Sequence, residues 1–234
     1  MKSDTNLNIF LFISFDKIEI VVKKRSSFEE IYKNKILLQN NSDTLRLKYL
    51  DEFLSKNVFK IEKKIKKFIQ GVNLVFDSKD YIPIEISIKK KNHGNLIEKK
   101  DLVYCLKDAK EQCKKTLENK KIIHTVIENY RIDQIDYSFF PKDIKCDTIC
   151  LDIRFICIPE NIIINFEQIL KKYQITLDQI ASAEYVRQFF SQNEHNFFDM
   201  AGKIIDGCNE NEVVFLNKSR KNRGFFERFF DLFS

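Results

Sequence analysis

The residues best placed to act at a surface are Phe225, Phe226, Phe229, Phe230 and Phe233, within the stretch GFFERFFDLFS at 224–234. Wound as a helix, the i, i+1, i+4, i+5, i+8 spacing gathers the five rings on one face, with Glu227, Arg228 and Asp231 elsewhere. Lys218, Arg220, Lys221 and Arg223 come directly before it, and Arg228 lies inside it. An aromatic face behind a cluster of cations suits an anionic bilayer, where rings enter the headgroup boundary and cations meet acidic lipid. The same face could instead dock on the protein's own core or in a partner's groove. A helix this short predicts modest, reversible lipid binding by one copy and firm binding by linked copies.

Other reactive side chains are scattered. Cys105, Cys113, Cys146, Cys150, Cys157 and Cys208 form no CxxC pair and read as buried free thiols. His93, His124 and His195 do not cluster with them, so no metal is expected. His124 with Asp133 or Glu128 is the one acid–base set the sequence offers. Regular strand alternation puts His124, Glu128 and Tyr130 on one face and Asp133 on the other. No serine, cysteine or carboxylate constellation supports catalysis, and the expectation is a protein that is not an enzyme. Glycine occurs only at Gly71, Gly94, Gly202, Gly207 and Gly224, with no GxGxxG and no GxxxxGK[ST]. A backbone that cradles phosphate needs clustered glycines, so no nucleotide cofactor is expected.

With 234 residues, 44% hydrophobic and 32% charged, the chain can bury a real core and stay soluble. The net charge of +6 permits nucleic-acid binding. The lysines are nevertheless dispersed, and KIEKKIKK at 60–67 interleaves charge with Ile61 and Ile65 as a solvated amphipathic helix would. No nucleic-acid motif matches, and none is expected as a partner. No apolar run approaches the ~20 residues that span a bilayer. The opening MKSDTNLNIFLFISF reads as a strand, not a signal peptide, which predicts a chain that stays in the cytoplasm.

The elements that would carry these residues form a mixed α/β pattern. Residues 7–24 read as a hairpin, 28–40 as a strand, and 44–70 as a helix whose apolar face includes Phe53, Leu54, Ile61 and Phe68. Strands follow at 72–76 and 82–88, then a turn at Asn92–Asn95. Asp101 is the expected N-cap of a helix burying Leu102, Cys105, Leu106, Ala109, Cys113 and Leu117. Strands at 121–133 and 147–159, a helix at 161–173, a short strand-like run at 175–180 and a helix at 181–190 follow, and residues 198–208 and 213–216 lead into the basic linker and the tail.

The middle of the chain resembles the bacterial cell-division protein FtsA, of the actin family. That family has a strand of the form HxIPxxYxxD after a helix, and later a strand running into Ala-Ser-Ala. Here His124, Tyr130 and Asp133 fall at the first motif, Pro141 at the loop proline, and Ala181, Ser182 and Ala183 at the second. The collinear match covers about residues 80–190. The basic linker with an amphipathic helix behind it is a further family feature.

The resemblance implies a reduced, ribonuclease-H-like first lobe of the actin fold with an inserted strand–helix–strand–strand subdomain and a C-terminal amphipathic helix. Residues 1–90 would open the lobe, 91–159 form the insert, 160–216 return to the lobe, 217–223 link, and 224–234 target the membrane. The departures are equally specific. Ile13-Ser14-Phe15-Asp16-Lys17 stands where the family has a glycine-bearing phosphate loop, and the second lobe is missing from the match. The resemblance then implies a non-enzymatic adaptor on the cytoplasmic face of the inner membrane. It would bind anionic lipid and division proteins such as FtsN or other late components, with possible self-association. FtsZ binding is in doubt, because its surface belongs to the missing lobe. The alternatives are an actin-like scaffold of a pilus or secretion system, or a soluble interaction domain whose last helix packs on its own core.

Overall fold

Along the first strand, β1 (Leu7–Ile13), Ile9, Leu11 and Ile13 alternate with Asn8, Phe10 and Phe12, and both sets are buried. Alternation sends the two sets to opposite faces, so a strand like this must be central and covered on both sides. The computed structural model, which describes residues 7–38, 43–190 and 196–213, supplies those covers. The elements that follow are β2 (Lys17–Lys24), β3 (Glu30–Leu37), α1 (Asp43–Ile65), β4 (Gly71–Phe76), β5 (Ile82–Leu96), α2 (Lys99–Gln112) and β6 (Lys120–Ile132). Then come β7 (Ile135–Tyr137), β8 (Lys145–Pro159), α3 (Glu160–Lys172), β9 (Thr176–Ser182), α4 (Ala183–Phe189) and α5 (Phe197–Ile205).

The chain divides into two units. The first comprises residues up to Ile82, Glu118–Ile123 and Cys157–Cys208. Its sheet has the order β3-β2-β1-β4-β9. β2 runs antiparallel to β1 and β3, while β1, β4 and β9 are parallel. This is the α/β arrangement of a ribonuclease-H-like lobe, the fold class expected from the sequence. On one face Ile9, Leu11, Ile18, Ile20, Leu74 and Phe76 meet Leu50, Phe53 and Leu54 of α1 and Ile163, Phe166 and Leu170 of α3. Each such side chain contributes roughly 1.5–3 kcal/mol by leaving water.

The other face carries α4 and α5. The Phe12 ring stands edge-on to Phe197 at 5.5 Å, and Phe10 lies 5.9 Å from Phe198. α5 can come this close because Gly202 has no Cβ, which would lie 3.3 Å from the Phe10 ring. Two charges are buried on this face. Glu19 lies 3.3 Å from both Lys17 and Lys33, and Lys23 pairs with Asp199 in the first turn of α5. Removing Asp199 would leave the buried Lys23 uncompensated, at a cost of about 3–5 kcal/mol, whereas Glu19 keeps one lysine when the other is lost.

The second unit comprises Pro83–Leu117, His124–Ile156 and, among the described residues, Asn209–Val213. Its strands lie in the order β5-β8-β6-β7, with α2 inserted between β5 and β6 in sequence. This is the expected strand–helix–strand–strand pattern, with β7 added. It begins earlier than residue 91, the start read from the sequence.

Several local readings need correction. Asp101 is not the N-cap of α2 but its third residue; Glu98 is the cap, and Asp101 accepts from the Glu98 backbone N–H at 2.8 Å. The strand β5 runs through the expected turn at 92–95, because His93 (φ 52°) and Gly94 (φ 72°) form a kink within it. α2 ends at Gln112, short of Leu117. Ala181 and Ser182 complete β9, so α4 starts at Ala183. Phe68 does not join the apolar face of α1; it lies beyond the helix end and is 82% exposed. The expected membrane residues Lys218, Arg220, Lys221, Arg223, Phe225, Phe226, Arg228, Phe229, Phe230 and Phe233 lie outside the described residues. No helix among the described residues is long and apolar enough to cross a membrane.

α1 and α3 are clamped by Asp51, which accepts from Lys172 Nζ at 2.6 Å and from the Tyr173 hydroxyl at 2.8 Å. The Lys172 bond, then the Tyr173 bond, hold its carboxyl below the usual range. A depressed carboxyl stabilises the fold above its unfolded pKa and loses that contribution as pH falls through the folded value. Asp51→Asn should therefore lower the urea midpoint at pH 7, and the difference from wild type should shrink as pH falls below the ordinary carboxylate range.

Candidate functional site

Two places in the molecule could carry function, and each is built within one unit. The first is the carboxyl end of the parallel strands, where open α/β sheets bind ligands. β1 ends in a turn closed on itself. The Ser14 N–H donates to the Lys17 carbonyl at 2.9 Å, the Lys17 N–H donates to Ser14 Oγ at 3.1 Å, and the Ser14 hydroxyl donates to Asp16 Oδ1 at 2.5 Å. The N–H groups of Ser14 and Lys17, two of the donors an anion could use here, are thus spent within the turn. After β4, the Asp77 N–H donates to the Ile13 carbonyl at 2.8 Å and its carboxylate pairs with Arg187 at 2.6 Å. The Tyr81 hydroxyl donates to the Phe76 carbonyl at 2.7 Å, and burial pushes its phenol well above the usual range.

Ala181, Ser182 and Ala183 sit at this rim. Ala181 and Ala183 are fully buried packing residues, and Ser182 caps α4 by accepting from the Tyr185 N–H at 3.3 Å. Asp16, Asp77, Asp80 and Glu184 stand in the rim segments, against Lys17 and Arg187. A phosphate brought here would meet these carboxylates beside a turn that has no glycine.

The second place is the edge of β6. His124 is buried, and its Nδ1 lies 2.6 Å from Glu212 Oε1. A carboxylate can only accept, so the imidazole donates through Nδ1. Around this pair, residues 209–213 form a strap along the strand. The Ile127 N–H donates to the Asn211 carbonyl at 2.9 Å, the Val213 N–H donates to the Thr125 carbonyl at 2.8 Å, and Val126 bridges Glu212 in antiparallel sense. The Tyr130 hydroxyl donates to Asn211 Oδ1 at 3.2 Å, and Asn211 Nδ2 donates to the Ser138 carbonyl at 2.8 Å. Burial pushes the Tyr130 phenol up to about 12, so it remains a neutral donor.

Asp133 is elsewhere on the same strand end. With φ 44° it shapes the turn into β7, and it accepts from the Asp147 N–H at 3.0 Å and the Thr148 N–H at 2.8 Å. Those bonds hold its carboxyl below the ordinary range. The acid–base set drawn from the sequence is not assembled. Glu128 is exposed and faces Arg154 at 2.8 Å, while His124 is turned to Glu212. Chain alternation alone put His124 and Glu128 together, and their ion-pair partners separate them. Glu212 and Asn211 were missed because they lie far along the chain in NENEVV, whose polar run reads as a loop. Among the described residues no cluster of His, Cys, Asp or Glu could hold a metal ion. The thiols are mostly buried as expected, but Cys208 is exposed and Cys150 half-buried.

No family model matches the chain, and no curated protein matches it. Remote likenesses exist among solved structures. The cytoplasmic domain of EpsL, an inner membrane component of the type II secretion system of Vibrio cholerae, is 12% identical, with a TM-score of 0.39 over 81% of this chain and 59% of that one. The PilM–PilN type IV pilus biogenesis complex gives 7% identity and a TM-score of 0.44, over 78% and 49%. A Bacteroides thetaiotaomicron protein with an actin-like ATPase fold and unknown function gives 12% and 0.32, over 79% and 55%. The chain spans only half to three-fifths of these proteins' lengths. These likenesses assign neither family nor function. None of the three is described as a division protein, so the expected place in the division machinery gains no support from them.

His124 is buried and Glu212 largely so, and removing the carboxylate takes an acceptor from a buried imidazole. Glu212→Ala should cost about 1–3 kcal/mol and Tyr130→Phe about 1 kcal/mol, read from urea unfolding.

Proposed function

We propose that this chain is a non-enzymatic, peripheral membrane scaffold: a reduced actin-like lobe whose strapped segment hands a basic, aromatic sequence to an anionic bilayer. The observation that carries the proposal is the strap. Pairing of the buried His124 with Glu212, and of the buried Tyr130 with Asn211, fastens residues 209–213 to β6. Those residues run directly into the stretch that carries Lys218–Arg223 and the phenylalanines at 225–233. A tether of this kind passes load from a lipid contact into a sheet, where backbone bonds resist it. The acidic strand-end rim and its self-satisfied turn favour a scaffold over a nucleotide enzyme. No catalytic residue and no cofactor is assigned.

Two assemblies compete as the setting. The match of His124, Tyr130, Asp133 and Ala181–Ala183 to the FtsA pattern suggests division, with FtsN-like partners. A pilus or secretion scaffold fits the same lobe, and EpsL and PilM belong to such machines. A fluorescent fusion of the whole chain separates them. The scaffold reading expects an envelope signal that becomes diffuse in a Phe226→Glu, Phe229→Glu variant. A midcell band would assign division, and a polar pattern a pilus or secretion assembly. A wild-type signal that is diffuse throughout the cytoplasm would contradict the scaffold reading itself.

A further inference from the structure

The outer surface of α1 is unusual for a helix that packs on a core. Its inner face is satisfied, with Leu50, Phe53, Leu54 and Ile61 all buried. Lys56, Phe59, Lys60 and Lys63 recur at three- and four-residue spacing and share one outward stripe. Phe59 at its centre is 72% exposed. The helix then ends at Ile65, and Lys66 (φ 56°) turns the chain through the left-handed region usually left to glycine or asparagine. That reversal buries Ile69 and leaves Lys67 and Phe68 outside, Phe68 at 82% exposure.

None of these lysines forms an ion pair with a described residue. The acidic residue in the stretch, Glu62, accepts from the Ile69 N–H at 3.1 Å, so part of its carboxylate serves the fold. Lys64 leans 6.0 Å over the Tyr32 ring and stands apart from the stripe. What remains is a surface of cations, unpaired among the described residues, around two exposed rings.

We propose that this face of α1, with Lys66, Lys67 and Phe68, is a second lipid contact that binds an anionic bilayer surface. Cations on flexible stems reach acidic headgroups while the rings between them enter the apolar boundary. Charge complementarity selects the occupant: uncompensated lysines without arginine forks suit a diffuse anionic plane better than one bidentate ligand. A single-stranded nucleic acid would want a groove lined by successive rings; here two exposed rings stand among the lysines, and the hollow beside Phe68 is lined by Glu62, Gln70 and Tyr173. The proposal extends the membrane reading above, yet it stands on folded residues far in sequence from the phenylalanines at 225–233.

The chain contains no tryptophan, so one introduced indole reports its own surroundings. Phe59→Trp, Phe68→Trp and, as the tail control, Phe226→Trp would each be placed in the full chain. Each would be titrated with phosphatidylserine-containing and phosphatidylcholine-only vesicles carrying brominated acyl chains. Blue-shifted, quenched emission from the 59 and 68 probes on anionic vesicles alone supports the proposal, whatever the tail probe does. Unchanged emission at 59 and 68 with a quenched 226 probe overturns it and leaves the tail reading standing. Silence of all three overturns both. A response at 59 and 68 to a short oligonucleotide but not to vesicles also overturns it. Lys66→Gly guards against misfolding, since it relieves the left-handed backbone; it should keep the unfolding midpoint yet weaken partitioning about fivefold.

Discussion

β1 has no side that tolerates water, and the first unit follows from that constraint. With Ile9, Leu11 and Ile13 on one face and Phe10 and Phe12 on the other, its free energy is recovered only when both faces are covered. α1 and α3 cover one, and their amphipathic patterns fit a single buried stripe each. The second cover comes from the far end of the fold, where Phe197, Phe198 and Ala201 of α5 close on Phe10 and Phe12. A strand near residue 10 therefore requires a helix near residue 200, and the intervening chain can hold an inserted unit without disturbing that core.

The lobe keeps the strand order of a ligand-binding α/β fold but not the chemistry of its strand ends. A turn that binds phosphate must present free N–H groups and let the anion approach. Here the N–H groups of Ser14 and Lys17 are used within the turn, and Asp16 and Asp77 stand beside it. Function is better sought at surfaces: the strap that fixes residues 209–213, the sequence beyond it, and the lysine-rich outside of α1.

Much of this was legible from residue spacing. The opening hairpin, the long α1, the strands read at 72–76 and 147–159 and the helix read at 161–173 follow from apolar periodicity, and the missing glycine loops were visible in composition. What escaped was long-range or settled by a few atoms. Asn211 and Glu212 give no local signal, because their meaning comes from His124 and Tyr130 on a strand distant in sequence. Asp101 looked like a cap, but a reciprocal bond with Glu98 moves the helix start. Phe68 matched the helical period, yet the positive φ at Lys66 ends that period just before it. Periodicity reports which face is buried only while the backbone keeps its regular turn.

The central claim is that this lobe is held at an anionic bilayer by its basic, aromatic sequence. Co-sedimentation of the intact chain with anionic and neutral vesicles, at low and high salt, tests it most directly. The scaffold account predicts binding that needs acidic lipid, weakens with salt and falls sharply in the Phe226→Glu, Phe229→Glu variant. An intact, folded chain that stays in the supernatant with anionic vesicles at low salt would contradict it.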